Sequence, residues 1–167
     1  MRKVFRLTTI LLLCQIIGCV TVPRVDRSPA GRQLALPVSS LEGEPTYLTS
    51  AEGRVTVVLV FATWCDVCFD VLDWLEELES QVEDDLEVVA VSVDADLKKL
   101  EEAVQREKPK ILILWDREGK AASRRLALER VPTILVTDLQ GRIRRVFLGW
   151  DKQVERALIR NLDSGAS

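Results

Sequence analysis

Histidine is absent from all 167 residues. Its absence removes the commonest general base and the commonest metal ligand together. Long runs of one charge are missing too. The 23 Lys and Arg residues and the 26 Asp and Glu residues, net charge −3, are spread along the chain, which argues against a nucleic-acid partner held by a basic stripe. No internal repeat and no low-complexity segment is visible. No apolar run reaches the roughly 20 residues of a permanent membrane helix. The longest, Leu7 to Val20, is broken by Thr8, Thr9 and Gln15.

Cysteine is scarce: Cys14, Cys19, Cys65 and Cys68 are the whole supply. The first two lie in an N-terminus that reads as an export signal, with Arg2, Lys3 and Arg6 ahead of the apolar stretch. Its end, Ile16-Ile17-Gly18-Cys19, resembles the lipobox of bacterial lipoproteins. That resemblance implies cleavage after Gly18 and lipidation of Cys19. The plainer alternatives are an ordinary signal peptide with a chance cysteine, or an uncleaved anchor. Removing residues 1–18 leaves 149 of the 167, with 20 cations against 26 acids once Arg2, Lys3 and Arg6 are gone. That length suits one domain with a real core. Residues 19–33 carry Pro23, Ser28, Pro29 and Gly31 without apolar period. They read as the lipidated cysteine and a flexible tether, leaving 34–163 as the folded domain.

Cys65 and Cys68 then remain as the thiols of the mature chain, and two thiols without a histidine make a poor zinc site. The run into them, Val55 to Ala62, is continuously apolar and β-branched, as in a strand covered on both faces. After them, Val71, Leu75, Leu78 and Val82 recur at helical spacing, predicting a helix from about Cys65 to Val82. Further elements follow in order: a strand over 86–93, a helix over 96–107, a strand over 111–115 and a short helix over 119–130. A hairpin of 133–138 and 142–148 around Gln140-Gly141 and a closing helix over 151–162 complete the chain. Residues 34–48 are mixed, with turn signals at Gly43 and Pro45 and room for short edge strands such as Thr46 to Leu48. The alternation predicts an α/β fold, a mixed sheet flanked by helices.

The residues Phe61-Ala62-Thr63-Trp64-Cys65-Asp66-Val67-Cys68, Val91-Ser92-Val93-Asp94, Val131-Pro132-Thr133 and Asp138-Leu139-Gln140-Gly141-Arg142-Ile143, with Gly149 beyond, carry a resemblance. The chain resembles the thioredoxin-fold, TlpA-like (also ResA-like) membrane-anchored thiol-disulfide oxidoreductases, over about Leu34 to Leu162. The resemblance implies a thioredoxin-like fold with short N-terminal extension strands and Cys65 and Cys68 as the catalytic pair. It also implies a cis bond before Pro132, against the roughly 5–6% of X-Pro bonds that are cis in folded proteins. The backbone of Val131 would then pair with a substrate strand, and Trp64 would cover part of the site.

At a helix N-terminus Cys65 faces unpaired N–H groups and the positive end of the helix dipole, which favour its thiolate as the attacking sulfur. Cys68, one turn on, is the resolving sulfur. A purely structural staple is the alternative. Closing a four-residue loop stabilises by only about 2 kcal/mol, low for that purpose.

Three departures from the family pattern bear on redox tuning. Val67 stands where the family usually has proline. Asp66 and Asp70 add acids near the dithiol, and at about 6 Å and an effective dielectric of about 40 one carboxylate opposes a thiolate by roughly 1 kcal/mol, comparable to the helix terminus. Leu59 stands where thioredoxin has a buried acid. Glu52, Glu42 or Asp94 could substitute, although each reads more simply as an exposed loop or strand-end charge. Nothing basic sits between the cysteines to depress a thiol pKa as in strong oxidants, so a reductant or mild exchanger is expected. Arg142, Arg144 and Arg145 read as solvated strand charge or, more sharply, as a docking contact.

The expected function is a lipid-anchored, extracytoplasmic enzyme, periplasmic in a Gram-negative host, that reduces disulfides in exported proteins. Apocytochrome c is a substrate by family analogy, and a membrane thiol transporter of the DsbD or CcdA kind would supply electrons. No cofactor and no metal is expected. A non-catalytic lipoprotein using the fold as a binding scaffold or redox sensor is the alternative. A peroxidase is disfavoured because a lone peroxidatic cysteine with Pro and Thr neighbours is not seen.

Overall fold

A computed structural model describes residues 29–50, 53–82 and 85–163. The expected signal segment, Cys14, Cys19 and Glu52 lie outside the described residues. Seven strands form one sheet: β1 (Ala35–Ser39), β2 (Pro45–Thr49), β3 (Val55–Phe61), β4 (Leu86–Ser92), β5 (Leu112–Trp115), β6 (Thr133–Thr137) and β7 (Ile143–Leu148). Their spatial order is β2-β1-β5-β4-β3-β6-β7. β3, β4 and β5 are parallel, β6 runs antiparallel beside β3, and β7 runs antiparallel beside β6. Four helices complete the α/β, thioredoxin-like fold: α1 (Asp66–Val82), α2 (Leu97–Glu107), α3 (Lys120–Leu126) and α4 (Lys152–Asp163).

The apolar run of β3, broken only by Thr56, has a direct cause: every one of its seven residues is buried. Alternation along the pleat sends Val55, Val57, Leu59 and Phe61 into a core with Leu72 and Leu75 of α1 and Leu158 of α4. Val58 and Val60 go to the other face, with Leu34, Leu36 and Ala122 and Leu126 of α3. The sheet is therefore covered on both sides and presents its catalytic end only where strands stop and helices start.

Two stretches refine the sequence reading, one lengthened and one shortened. The predicted short edge segment is a five-residue antiparallel ribbon of β1 and β2, turned at Gly43, whose φ of 84° suits glycine. The helix over 119–130 shortens to a 3-10 turn, Arg117–Gly119, followed by α3. It stops because Ala127 takes φ 54°, with its N–H on the Ser123 carbonyl and the Leu128 N–H on Ala122.

The domain also begins earlier than residue 34. The Gly31 N–H donates to the Ile143 carbonyl at 2.7 Å, the Ile143 N–H to Arg32 at 2.8 Å, and the Leu34 N–H to Gly141 at 2.9 Å. Residues 31–33 of the expected tether are thus fastened to the start of β7. Gly141 suits this place, with φ 75° and the Ser50 Cβ 3.0 Å from where its own Cβ would stand.

Candidate active site

The redox turn is built where β3 ends. After Phe61 the chain turns through Ala62, Thr63 and Trp64, the Cys65 N–H donating to the Ala62 carbonyl at 3.1 Å. α1 then starts at Asp66, one residue later than predicted. Cys65 and Cys68 form a disulfide with Cα atoms 5.4 Å apart. Cys68 is fully buried, whereas Cys65 keeps 9% exposure. Both belong to the core cluster of Leu59, Phe61, Val71 and Leu72. An incoming sulfur can therefore approach Cys65 and not Cys68. Asp66 and Asp70 are exposed, so solvent screens them from the sulfurs and their opposition to a thiolate falls below the sequence-based figure.

Around this pair the structure gathers other residues named from sequence. The Val131–Pro132 peptide bond is cis. Pro132 is buried, its carbonyl accepting from Gly149 N–H at 2.8 Å, and Thr133 Oγ1 donates to the Arg130 carbonyl at 2.7 Å. Val131 is half-buried against the cluster containing the cysteines. Neither its N–H nor its carbonyl hydrogen-bonds to another described residue. Trp64, 69% exposed, shares with Val131 an open groove of about 430 Å³ whose walls include Val93, Ala122 and Leu128 and whose rim carries Glu118 and Glu129. The groove offers an apolar floor and a free backbone edge at Val131, on the side of Trp64 that leads to Cys65, the requirements for holding an extended peptide.

Other tryptophans pack instead. Trp74 and Trp150 lie with ring centroids 5.0 Å apart, and Trp115 donates its Nε1–H to the Asp94 carbonyl at 2.8 Å. The arginine triplet is not one patch. Arg144 falls where the β6–β7 register shifts, between Ile143 paired with Thr137 and Arg145 paired with Val136, while Arg142 Nη1 reaches the Gly31 carbonyl at 3.4 Å.

Asp94 corrects the sequence reading. It is not an exposed strand-end charge but a buried residue, 4% exposed. Its Oδ2 accepts from the Thr63 N–H at 2.9 Å and the Ser92 hydroxyl at 2.7 Å, and its Oδ1 accepts from the Thr63 hydroxyl at 2.7 Å. The carboxylate thus braces the turn that delivers Cys65. Thr63 is a functional residue that sequence reasoning missed; its position two before the nucleophile was the available signal. Glu42 lies exposed in the β1–β2 turn at the sheet edge, and the Ser40 side chain hydrogen-bonded to it holds its carboxyl below the usual range. Neither that place nor that direction suits a proton carrier for Cys68. At Leu59 the chain presents only a fully buried apolar side chain.

With this geometry in place, the comparisons are specific. The family model described as Redoxin matches residues 24–161. The chain is 28% identical over 126 residues to the thioredoxin-like protein YneN of Bacillus subtilis (strain 168), covering 72% of this chain and 73% of that one. Among solved structures it is similar to a Chlorobium tepidum protein named as a candidate thiol:disulfide interchange protein DsbE, with TM-score 0.71 at 19% identity over 86% of this chain and 100% of that one. It is also similar to the exposed lipoprotein thioredoxin Etrx1 of Streptococcus pneumoniae, with TM-score 0.65 at 18% identity over 78% and 98%.

Proposed function

Since the chain belongs to the Redoxin family and is a thioredoxin-like thiol-disulfide oxidoreductase, we propose that it reduces disulfides of exported proteins from the outer face of a bacterial membrane, held there by a lipid on Cys19. One observation carries the chemistry: of the two bonded sulfurs, only that of Cys65 belongs to a residue open to the surface, beside the unpaired backbone of Val131.

In the reduced state, the Cys65 thiolate at the start of α1 attacks one sulfur of a substrate disulfide. The substrate's S–S bond breaks, a Cys65–substrate disulfide forms, and the other substrate sulfur leaves as a thiolate and takes a proton. Cys68, having lost its proton, attacks Cys65, releasing the second substrate thiol and forming the Cys65–Cys68 bond. Two electrons have passed from enzyme to substrate. A dithiol donor then attacks Cys65 and restores the pair. Export into an oxidising compartment makes such a donor necessary, and a membrane thiol transporter of the DsbD or CcdA kind is the proposed source. Trp64 and the Val131 backbone hold the substrate segment, with Pro132 presenting Val131. Support for the location comes from the export-like N-terminus and from the likeness to the exposed pneumococcal lipoprotein thioredoxin. Among the described residues no helix is long and apolar enough to cross a membrane.

The test is a Cys68→Ser trap in the native host. Mixed disulfides through Cys65 with exported proteins support the proposal. Their absence, together with no insulin reduction by the unmodified protein, would refute it in favour of a binding scaffold.

A further inference from the structure

α3 separates two clefts. Gly119, Ala122 and Ser123 turn to the redox groove, whereas Lys120, Ala121, Arg124 and Arg125 turn the other way. On that far side Arg117, Lys120, Arg124 and Arg125 line an open cleft of about 480 Å³ against residues 37–39 of β1. The two acids within the cluster are already engaged. Asp116 is buried, its carboxylate accepting the N–H groups of Ala121 and Ala122 at 2.9 and 2.7 Å. Glu118 is paired with Lys120 at 2.7 Å, and this hydrogen bond and charge lower its pKa. Arg117, Arg124 and Arg125 are exposed and pair with no carboxylate among the described residues. Arg32 joins them, its Nη1 donating to the Arg125 carbonyl at 2.8 Å. Five cations thus gather around one acid, the buried Asp116, with Glu118 reaching Lys120 from the rim of the redox groove, on a chain whose net charge is −3.

Scattered guanidinium groups on a surface would be ordinary solvated charge. This cluster differs in where it lies, because Arg32 is also the point at which the N-terminal segment enters the domain. Cys19 stands ten residues before Pro29, a span of roughly 34 Å when fully extended. A lipid there keeps the point at which the chain joins this face within roughly 34 Å of the membrane surface.

We propose that the face of Arg32, Arg117, Lys120, Arg124 and Arg125 docks on anionic phospholipid headgroups, leaving the redox groove on the opposite side of α3 clear of lipid. The proposal rests on the lipid-anchored reading above. Each cation near an anionic surface strengthens association about fivefold, and the effect fades with salt. Docking replaces a swinging domain with one held at a fixed height, so a membrane-embedded donor meets Cys65 in one orientation.

The test places the full chain on vesicles of phosphatidylcholine alone and of phosphatidylcholine with phosphatidylglycerol, and follows amide hydrogen exchange. Slower exchange over 30–33 and 117–126 on the anionic vesicles only, abolished by high salt, supports the proposal. Arg124→Gln with Arg125→Gln should weaken docking about 25-fold. Arg117→Gln should weaken it about fivefold, guarding against misfolding of the double variant. Equal exchange on both vesicles overturns the proposal, and so does protection by polyglutamate without protection by phosphatidylglycerol, which would assign the face to an acidic polypeptide. Retention on pure phosphatidylcholine reads the anchor separately. A chain washed off those vesicles but held by anionic ones would sink the anchor and keep the face.

Discussion

Replacing Asp94 should loosen the redox turn by an amount the geometry sets. The carboxylate accepts three hydrogen bonds of 2.7–2.9 Å, two of them from Thr63. Hydrogen bonds to a charged acceptor contribute roughly 1.5–3 kcal/mol each, so simple addition gives an upper bound of about 5–9 kcal/mol for Asp94→Ala. The three bonds share one acceptor group, and half-buried Thr63 gives water a route to the freed donors. About 3 kcal/mol is therefore expected. For a domain of this size that lowers Tm by about 10 °C. Asp94→Asn should cost only about 1 kcal/mol. Its amide oxygen can keep the Thr63 N–H and Ser92 bonds, while its NH2 faces a Thr63 hydroxyl able to turn and accept. Urea unfolding of the disulfide-bonded protein, read at constant m-value, measures both. A cycle with Thr63→Val should return a coupling above about 1 kcal/mol. The reasoning fails if Asp94→Ala stays within about 0.5 kcal/mol of the parent, or if Asn is as costly as Ala.

Trp64→Ala should leave stability within about 1 kcal/mol, because the ring is 69% exposed, while reducing kcat/KM for peptide disulfides; an unchanged kcat/KM would remove Trp64 from the site. Leu59→Glu places a carboxyl at a fully buried position, where burial raises its pKa. The sign follows: the variant is least impaired below the ordinary Glu pKa of about 4.3 and loses stability as pH rises toward the raised value. Urea midpoints that do not fall between acid and neutral pH would contradict it. The Lys120 ammonium beside Glu118 holds that carboxyl below its ordinary value, so any contribution of the pair is fully present above about 4.3 and is lost only as pH falls through the lowered value. NMR titration should show the depression and its disappearance in Lys120→Met.

The central strand was legible because burial on both faces leaves nothing but apolar residues from Val55 to Phe61, apart from Thr56. The β1–β2 ribbon was faint for the opposite reason. It lies at the sheet edge, Tyr47 is exposed and Pro37 interrupts the pattern. The end of α3 carried no stop signal, since Ala127 occupies a left-handed position where glycine is usual. At the site, Cys65 and Cys68 could be read from spacing alone. Asp94 could not: its burial depends on Thr63, 31 residues earlier in the chain. A pattern of neighbours in sequence does not reveal which charge a distant turn will enclose.

The hydrogen bonds joining Gly31 and Arg32 to Ile143 cross more than a hundred residues of chain. Closing so long a loop is entropically late, and contacts of this separation slow folding. A chain delivered from its N-terminus cannot make these bonds until Ile143 has arrived. Every internal strand is already available by then except β7, which begins at that residue. The fastening of the first described residues is therefore among the last native contacts available. Under the export proposed above, Gly31 and Arg32 stay unfastened until nearly the whole domain has followed them.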